Sequence, residues 1–164
     1  SSTNGYVELG DAAVGLDEFN DVASVRSGDD WNAVNLFRLA TEWIVDTGSN
    51  FDCVGKTTAR QFKELQFAAR KINFSTAGGK ISANMYIKII TPQFGEEPTS
   101  AIVLADTPNI LTVGRRVEEA KFSFVWLTGF RPCMITPEPD IVCLKVARGL
   151  PVLTPECMLS LIHI

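Results

Sequence analysis

The residues best placed to do chemistry are Asp46-Thr47-Gly48-Ser49, which directly follow an apolar run. An aspartate followed by a hydroxyl residue and a glycine suits a carboxylate held between a strand and a turn. Thr47 can hydrogen-bond across the base of such a site, and Gly48 allows close backbone approach or a positive φ. The same residue types also build ordinary turns, and Asp-Thr-Gly occurs by chance. The stretch predicts carboxylate chemistry if the rest of the chain supports it.

Thiol, histidine and metal chemistry find little support. The four cysteines contain no CxxC pair, and the one histidine, His163, lies near the C-terminus. This pattern argues against a structural metal site and favours free thiols in a reducing compartment. Both Ser-His-Asp and Cys-His catalysis would depend on His163, so we set both aside. The cysteines are Cys53, Cys133, Cys143 and Cys157.

Residues 54–58 resemble the end of a phosphate-binding loop. The full pattern needs glycine at position 50, where this chain has Asn50. Without that glycine the backbone cannot form the phosphate nest, so we expect no nucleotide. Instead we predict that Thr57 caps a short amphipathic helix, because apolar residues follow at spacings of three and four. They are Ala59, Phe62, Leu65, Ala69 and Ile72.

The elements around Asp46 are predicted to be mainly strands. Residues 34–39 and 43–45 suggest a pair of strands ahead of it, and residues 101–105 a buried strand. Residues 117–121 predict a short helix, and residues 122–126 alternate like a strand. Beyond Gly129, repeated prolines allow only short strands, such as residues 141–146.

Residues 72–90 give the strongest hairpin pattern, two β runs joined through Gly78-Gly79. One interpretation is a surface hairpin. The other is a mobile flap, with Ala77, Gly78 and Gly79 at its tip, that bends over a cleft.

Composition limits the classes of function. The 164 residues, 46% of them apolar, are enough for one domain with a core. No apolar run approaches the roughly 18 residues of a membrane span, so we expect no membrane partner. The net charge is −4, of which residues 1–30 carry −6 and the rest +2; a nearly neutral domain argues against nucleic acid. The chain starts without Met or a signal-peptide pattern, which suggests a segment cut from a longer polyprotein.

Three motifs, in order, resemble a known family. They are Trp43-Ile44-Val45-Asp46-Thr47-Gly48, then the run from Phe74 to Gly79, and an apolar run from Leu104 to Arg116 that leads into residues 122–126. This order resembles the retropepsin-like aspartic proteases and, more narrowly, the protease segment of copia-type retrotransposon polyproteins. The resemblance covers residues 31–127, between an acidic flexible leader (1–30) and a Pro-rich extension (128–164) whose last residues we suspect to be an artefact.

The resemblance implies a mainly all-β fold: a closed β-barrel with a Gly-Gly flap hairpin and one or two short helices. It makes Asp46 the catalytic residue, with Thr47, Gly48 and Ser49 in its loop, and assigns Ala77, Gly78 and Gly79 to the flap. Val113-Gly114 would pack against the catalytic loop, and Arg115 would start a short helix.

Two features depart from the family pattern. The extension after Trp126 exceeds what the compact family domain needs, and one position in the loop differs. Many retroviral relatives pair that arginine with an acidic residue four positions after the catalytic aspartate, where this chain has Asn50. Either Asp52 replaces that acid or the ion pair is absent.

The implied activity is that of an aspartic endopeptidase that cleaves its own polyprotein. Since the chain has a single Asp-Thr-Gly, two copies must meet as a homodimer to supply two carboxylates. No metal or organic cofactor is implied, and the expected location is the cytoplasm or a virus-like particle within it.

Two alternatives stay open. One is an inactive retropepsin-like module for dimerisation or peptide binding, in which Asp46 is structural. The other is an unrelated β-sandwich, for example a capsid-like domain, in which Asp-Thr-Gly is incidental.

Overall fold

The computed structural model describes residues 8–9, 33–76, 78–157 and 159–160. The fold is mostly β, as expected, and its larger sheet curls into a half-barrel. Nearly all of the acidic leader, Ala77, His163 and the end of the chain from 161 onward lie outside the described residues. No helix in the described ranges is long and apolar enough to cross a membrane.

The described strands fall into two sheets. They are β1 (Glu8–Leu9), β2 (Val34–Asn35), β3 (Trp43–Asp46), β4 (Cys53–Gly55), β5 (Gln66–Thr76), β6 (Gly79–Ile90), β7 (Thr99–Leu104), β8 (Ile110–Thr112), β9 (Ser123–Val125), β10 (Cys133–Ile135), β11 (Ile141–Cys143), β12 (Lys145–Ala147), β13 (Leu150–Leu153) and β14 (Leu159–Ser160). The larger sheet has the order β1-β5-β6-β7-β4-β8-β3-β13-β12, with β2 paired to β6, and the smaller has the order β14-β11-β10-β9.

The described helices are all short. They are α1 (Leu36–Leu39), α2 (Lys56–Ala59), α3 (Gly114–Glu118) and two 3₁₀ helices, Arg60–Leu65 and Pro92–Phe94.

The hairpin of β5 and β6 confirms the two β runs predicted around Gly78-Gly79. The last pair of the ladder joins Thr76 to Gly79, and the φ of Gly79 is +118°, a conformation that glycine adopts without strain.

The helix predicted after Thr57 is wrong beyond Leu65. Helical structure ends there, and β5 continues through Ile72, which pairs with Ala83 of β6. Gly55, rather than Thr57, is the N-cap of α2, and it makes no side-chain cap bond. Pairing with β6 outweighs the helical spacing of the apolar residues, because the long ladder satisfies the backbone and buries Ile72.

The strand predicted at residues 34–39 is also mostly wrong. Strand β2 ends at Asn35, whose Oδ1 accepts a 3.0 Å hydrogen bond from Phe37 N and thereby caps α1. The buried strand predicted at 101–105 is confirmed by β7, and the alternating strand at 122–126 by β9. The helix predicted at residues 117–121 begins three residues before the predicted start, at Gly114.

The Pro-rich segment after residue 128 contributes strands to both sheets. Residues 141–146 form two strands instead of one: the chain leaves the smaller sheet at Leu144, which is fully buried, and β12 joins the larger sheet. Strand β13 pairs with β3 through Val152 and Ile44. The strand that ends at Asp46 therefore lies between β8 and a strand from the C-terminal segment.

Candidate active site

The strand β8 separates two strands that are consecutive in the chain. It is parallel to β3, with Asp46 opposite Thr112, and antiparallel to β4, with Cys53 opposite Ile110. Residues 47–52 therefore form a loop between two strands that do not pair with each other, and β8 lies in the gap.

Asp46 lies at the end of β3 and is half-buried. Its Oδ1 accepts a 2.7 Å hydrogen bond from Gly48 N, and its carbonyl oxygen accepts a 2.9 Å bond from Val113 N. Thr47 and Gly48 are exposed. The loop thus presents an oriented carboxylate at the surface of one chain.

Ser49 turns into the protein and holds the loop. Its Oγ donates a 2.7 Å hydrogen bond to the carbonyl of Phe51, and its own carbonyl accepts a hydrogen bond from Thr112 Oγ1. Ser49 and Thr112 are both buried, so these bonds fix the base of the loop to β8.

The far end of the loop carries a second carboxylate, that of Asp52, which is fully buried. It accepts hydrogen bonds from Thr99 Oγ1 at 2.9 Å and Thr112 N at 2.8 Å. Arg116 adds two more, from Nη1 at 2.8 Å and Nη2 at 3.1 Å. All four donors hold Asp52 in its ionised form.

Arg116 also binds Glu96, which completes a buried ion triad of Asp52, Glu96 and Arg116. The Nη2 atom of Arg116 lies 2.6 Å from Glu96 Oε1, and its Nη1 donates to the carbonyl of Thr112 at 2.8 Å. The triad thereby ties together the end of the loop, the segment before β7, and helix α3.

The pKa values of the two carboxyl groups in the triad are shifted in opposite directions. Burial by itself raises the pKa of Asp52, but the charge and hydrogen bonds of Arg116 outweigh it and leave that pKa below its ordinary value. For Glu96, burial is the larger effect and raises the pKa of its carboxyl. One guanidinium cannot neutralise two carboxylates, and the negative charge of Asp52 also raises the pKa of Glu96.

The buried arginine is Arg116, one residue after the expected Arg115. Of the two possibilities left open by Asn50, the structure has the first: Asp52 is the acidic residue that pairs with an arginine. Arg115, the second residue of α3, has its Nε 3.7 Å from Glu119 Oε2. The sequence could not distinguish Arg115 from Arg116, because the residue at which α3 begins decides which of the two faces inward. The helix begins at Gly114.

The other predicted site residues lie in two places. Val113 is buried, and Gly114 begins α3, so this pair follows Thr112 directly beside the loop. Gly78 and Gly79 are exposed at the end of the β5–β6 hairpin. In the order of the sheet, β7, β4 and β8 lie between that hairpin and β3.

A cavity lies beside the buried ion triad. Its volume is about 490 Å³, and its lining includes Glu96, Arg115 and Arg116 but none of residues 46–49. In the described part of the chain no group of three or more His, Cys, Asp or Glu side chains could hold a metal ion.

No family model, curated protein or solved structure matches this chain.

Proposed function

We propose that this chain is one subunit of a homodimeric, retropepsin-like aspartic endopeptidase that processes the polyprotein containing it. The observation that best supports this proposal is the hydrogen bond from Gly48 N to Asp46 Oδ1, in an exposed loop anchored to β8. It leaves the rest of the carboxylate available to a substrate or a second subunit. The half-barrel would be part of the closed barrel of that family.

The chemistry requires a second carboxylate. A twofold axis beside the exposed Thr47 and Gly48 would bring the two copies of Asp46 together in one isologous site. Two carboxylates about 3 Å apart do not both ionise easily, so they would share one proton.

The reaction would use the two carboxylates in different states. The ionised Asp46 takes a proton from a bound water, which attacks the scissile carbonyl. The protonated Asp46 donates a hydrogen bond to the developing oxyanion, and its proton later goes to the departing amine. Because one proton must be retained by the pair, cleavage should be fastest on the acid side of neutrality.

Substrate binding would depend on the hairpin. An extended peptide would lie between the loop and the flap as an added strand, with the flap excluding bulk water. The half-buried Ile44 and Ile110 and the exposed Ile81 are apolar side chains that could contact it, whereas Val113 is buried under the loop.

The test is proteolysis of a mixed peptide library from acid to neutral pH, with products identified by mass spectrometry. Wild type is compared with Asp46→Asn, and Asp106→Asn serves as the matched control on an exposed carboxylate. We expect cleavage by wild type and by the control, inhibition by pepstatin, and no cleavage by Asp46→Asn.

Two results would overturn the proposal. A folded dimer that binds peptides without cleaving them would favour the inactive module, and a monomer that does neither would favour an unrelated β domain. Sedimentation velocity on the same samples distinguishes the two.

A further inference from the structure

Two cysteine side chains face each other in the smaller sheet. Cys133 of β10 is directly opposite Cys143 of β11, and their Sγ atoms are 3.5 Å apart. Both belong to the central strands of that sheet, away from the loop that carries Asp46.

The hydrogen bonds of the hairpin define the type of this pair. Thr136 N donates to Asp140 O at 2.9 Å, and Leu144 N donates to Pro132 O at 2.8 Å. Because hydrogen-bonded and non-hydrogen-bonded pairs alternate along an antiparallel ladder, the cysteines occupy a non-hydrogen-bonded pair. Such pairs have Cα atoms about 4.5 Å apart, within the range of about 4.4–6.8 Å that a disulfide needs.

Accessibility separates this pair from the other cysteines. Cys133 and Cys143 are partly exposed, whereas Cys53 and Cys157 are 5% and 3% exposed. A small oxidant can therefore reach the facing pair in the folded protein, while the other two thiols are protected.

We propose that Cys133 and Cys143 form a reversible disulfide by exchange with a low-molecular-weight disulfide such as oxidised glutathione. This inference is independent of the proposed protease activity.

The bond forms in two exchange steps. Cys133 Sγ donates its hydrogen bond to Cys143 Sγ, and burial, followed by this bond, raises the pKa of Cys133 to about 11. In the first step the thiolate of one cysteine, written here as Cys143, attacks one sulfur of oxidised glutathione, the S–S bond breaks, and one glutathione thiolate leaves.

The second step closes the bond within the protein. Cys133 loses its proton and attacks the Cys143 sulfur of the mixed disulfide, and the second glutathione leaves. Two electrons pass from the protein thiols to glutathione, and the two thiol protons end on the two released glutathione molecules. A dithiol reductant reverses both steps.

The bond would tie the strands of a hairpin whose turn lines the cavity beside the ion triad. Thr136, Pro137, Glu138 and Asp140 are part of that lining. Oxidation would therefore restrain one wall of the cavity and slow opening of the β10–β11 hairpin.

The experiment equilibrates the full chain in glutathione buffers of increasing oxidised fraction. Intact mass should fall by two hydrogen atoms, a non-reducing peptide map should link Cys133 to Cys143, and dithiothreitol should restore the original mass. Amide exchange across residues 133–143 should slow on oxidation.

The controls separate the facing pair from the buried thiols. Cys133→Ser and Cys143→Ser should each abolish the mass loss, whereas Cys53→Ala should retain it. If a serine variant fails to fold, the peptide map of the wild type decides. A lasting single glutathione adduct, a bond to another cysteine, covalent dimers, or no change at any ratio would overturn the proposal.

Discussion

Asp46 and Asp52 stand at the two ends of one loop, in opposite environments. Asp52 is fully buried and accepts hydrogen bonds from Thr99, Thr112 and Arg116. Asp46 is half-buried, and the described residues supply its carboxylate with a hydrogen bond from Gly48 N.

The difference separates a structural carboxylate from one that is available for chemistry. A buried carboxylate surrounded by donors is fixed in charge and position, so it can brace a loop but cannot exchange protons readily. A carboxylate with one donor and an open face can accept a proton, a water or a partner carboxylate. The same Asp→Asn substitution should therefore lower stability much more at Asp52 than at Asp46.

The largest effect should come from removing the cation of the triad. In Arg116→Met two buried carboxylates lose their partner, so the free energy of unfolding should fall by about 3–5 kcal/mol. Arg115→Met, the adjacent control, removes a 3.7 Å contact with Glu119 and a weaker attraction to the two carboxylates of the triad, and should cost about 1 kcal/mol or less. Urea unfolding measures the free energy of unfolding of both variants. Equal losses would show that Arg116 contributes no more to stability than Arg115 does.

The next effect distinguishes the aspartates directly. Asp52→Asn should lower the free energy of unfolding by about 2–3 kcal/mol, since charged hydrogen bonds to Arg116 are lost while Glu96 still balances the guanidinium. Asp46→Asn keeps an acceptor for Gly48 N at the surface and should change stability by about 0.5 kcal/mol or less. A stability loss at Asp46 equal to that at Asp52 would make Asp46 structural.

The pH dependence of stability gives a third comparison. The pKa of Asp52 is lower in the folded state than its ordinary value of 3.8, so its contribution is present above pH 3.8 and is lost as the pH falls through the folded value. The advantage of wild type over Asp52→Asn in urea midpoint should be constant near neutrality and shrink in stronger acid. If the advantage of wild type grew on acidification, the pKa of Asp52 would be raised in the folded state rather than lowered.

A smaller effect of opposite sign is expected at Glu96. Because the pKa of Glu96 is raised above 4.5 in the folded state, wild type should gain stability from this group as the pH falls from that raised value to 4.5. Glu96→Gln should lose this gain and change the neutral-pH stability by about 1 kcal/mol or less. The same urea series detects it, and identical slopes in both proteins would contradict it.

Local patterns predicted the strands better than the helices. The Gly-Gly hairpin and β7 followed from glycine and from a run of apolar residues, both of which act over a few neighbouring residues. The helix extended through Ala69 and Ile72 failed because its apolar spacing also fits β5, and only pairing with β6 decides between them. Ile72 therefore belonged to two conflicting predictions, the end of the helix and the start of the first β run, and the β run was right.

The site was predictable in part for the same reason. Asp46 and Gly48 are two positions apart, so their hydrogen bond follows from a local motif. The ion pair of Asp52 and Arg116 joins residues 64 positions apart, and its choice of arginine depends on where α3 begins. Nothing in the sequence indicated Glu96 as the third member, because its burial depends on tertiary packing.

Subunit mixing is the most direct test that two copies of Asp46 make one active site. Wild type and Asp46→Asn are mixed in equal amounts, allowed to exchange subunits, and assayed for peptide cleavage at constant total protein. If both carboxylates are required, only dimers with two wild-type subunits cleave, and activity should fall to about one quarter of the wild-type value. Activity of about one half would mean that each Asp46 acts alone, and would contradict the shared site.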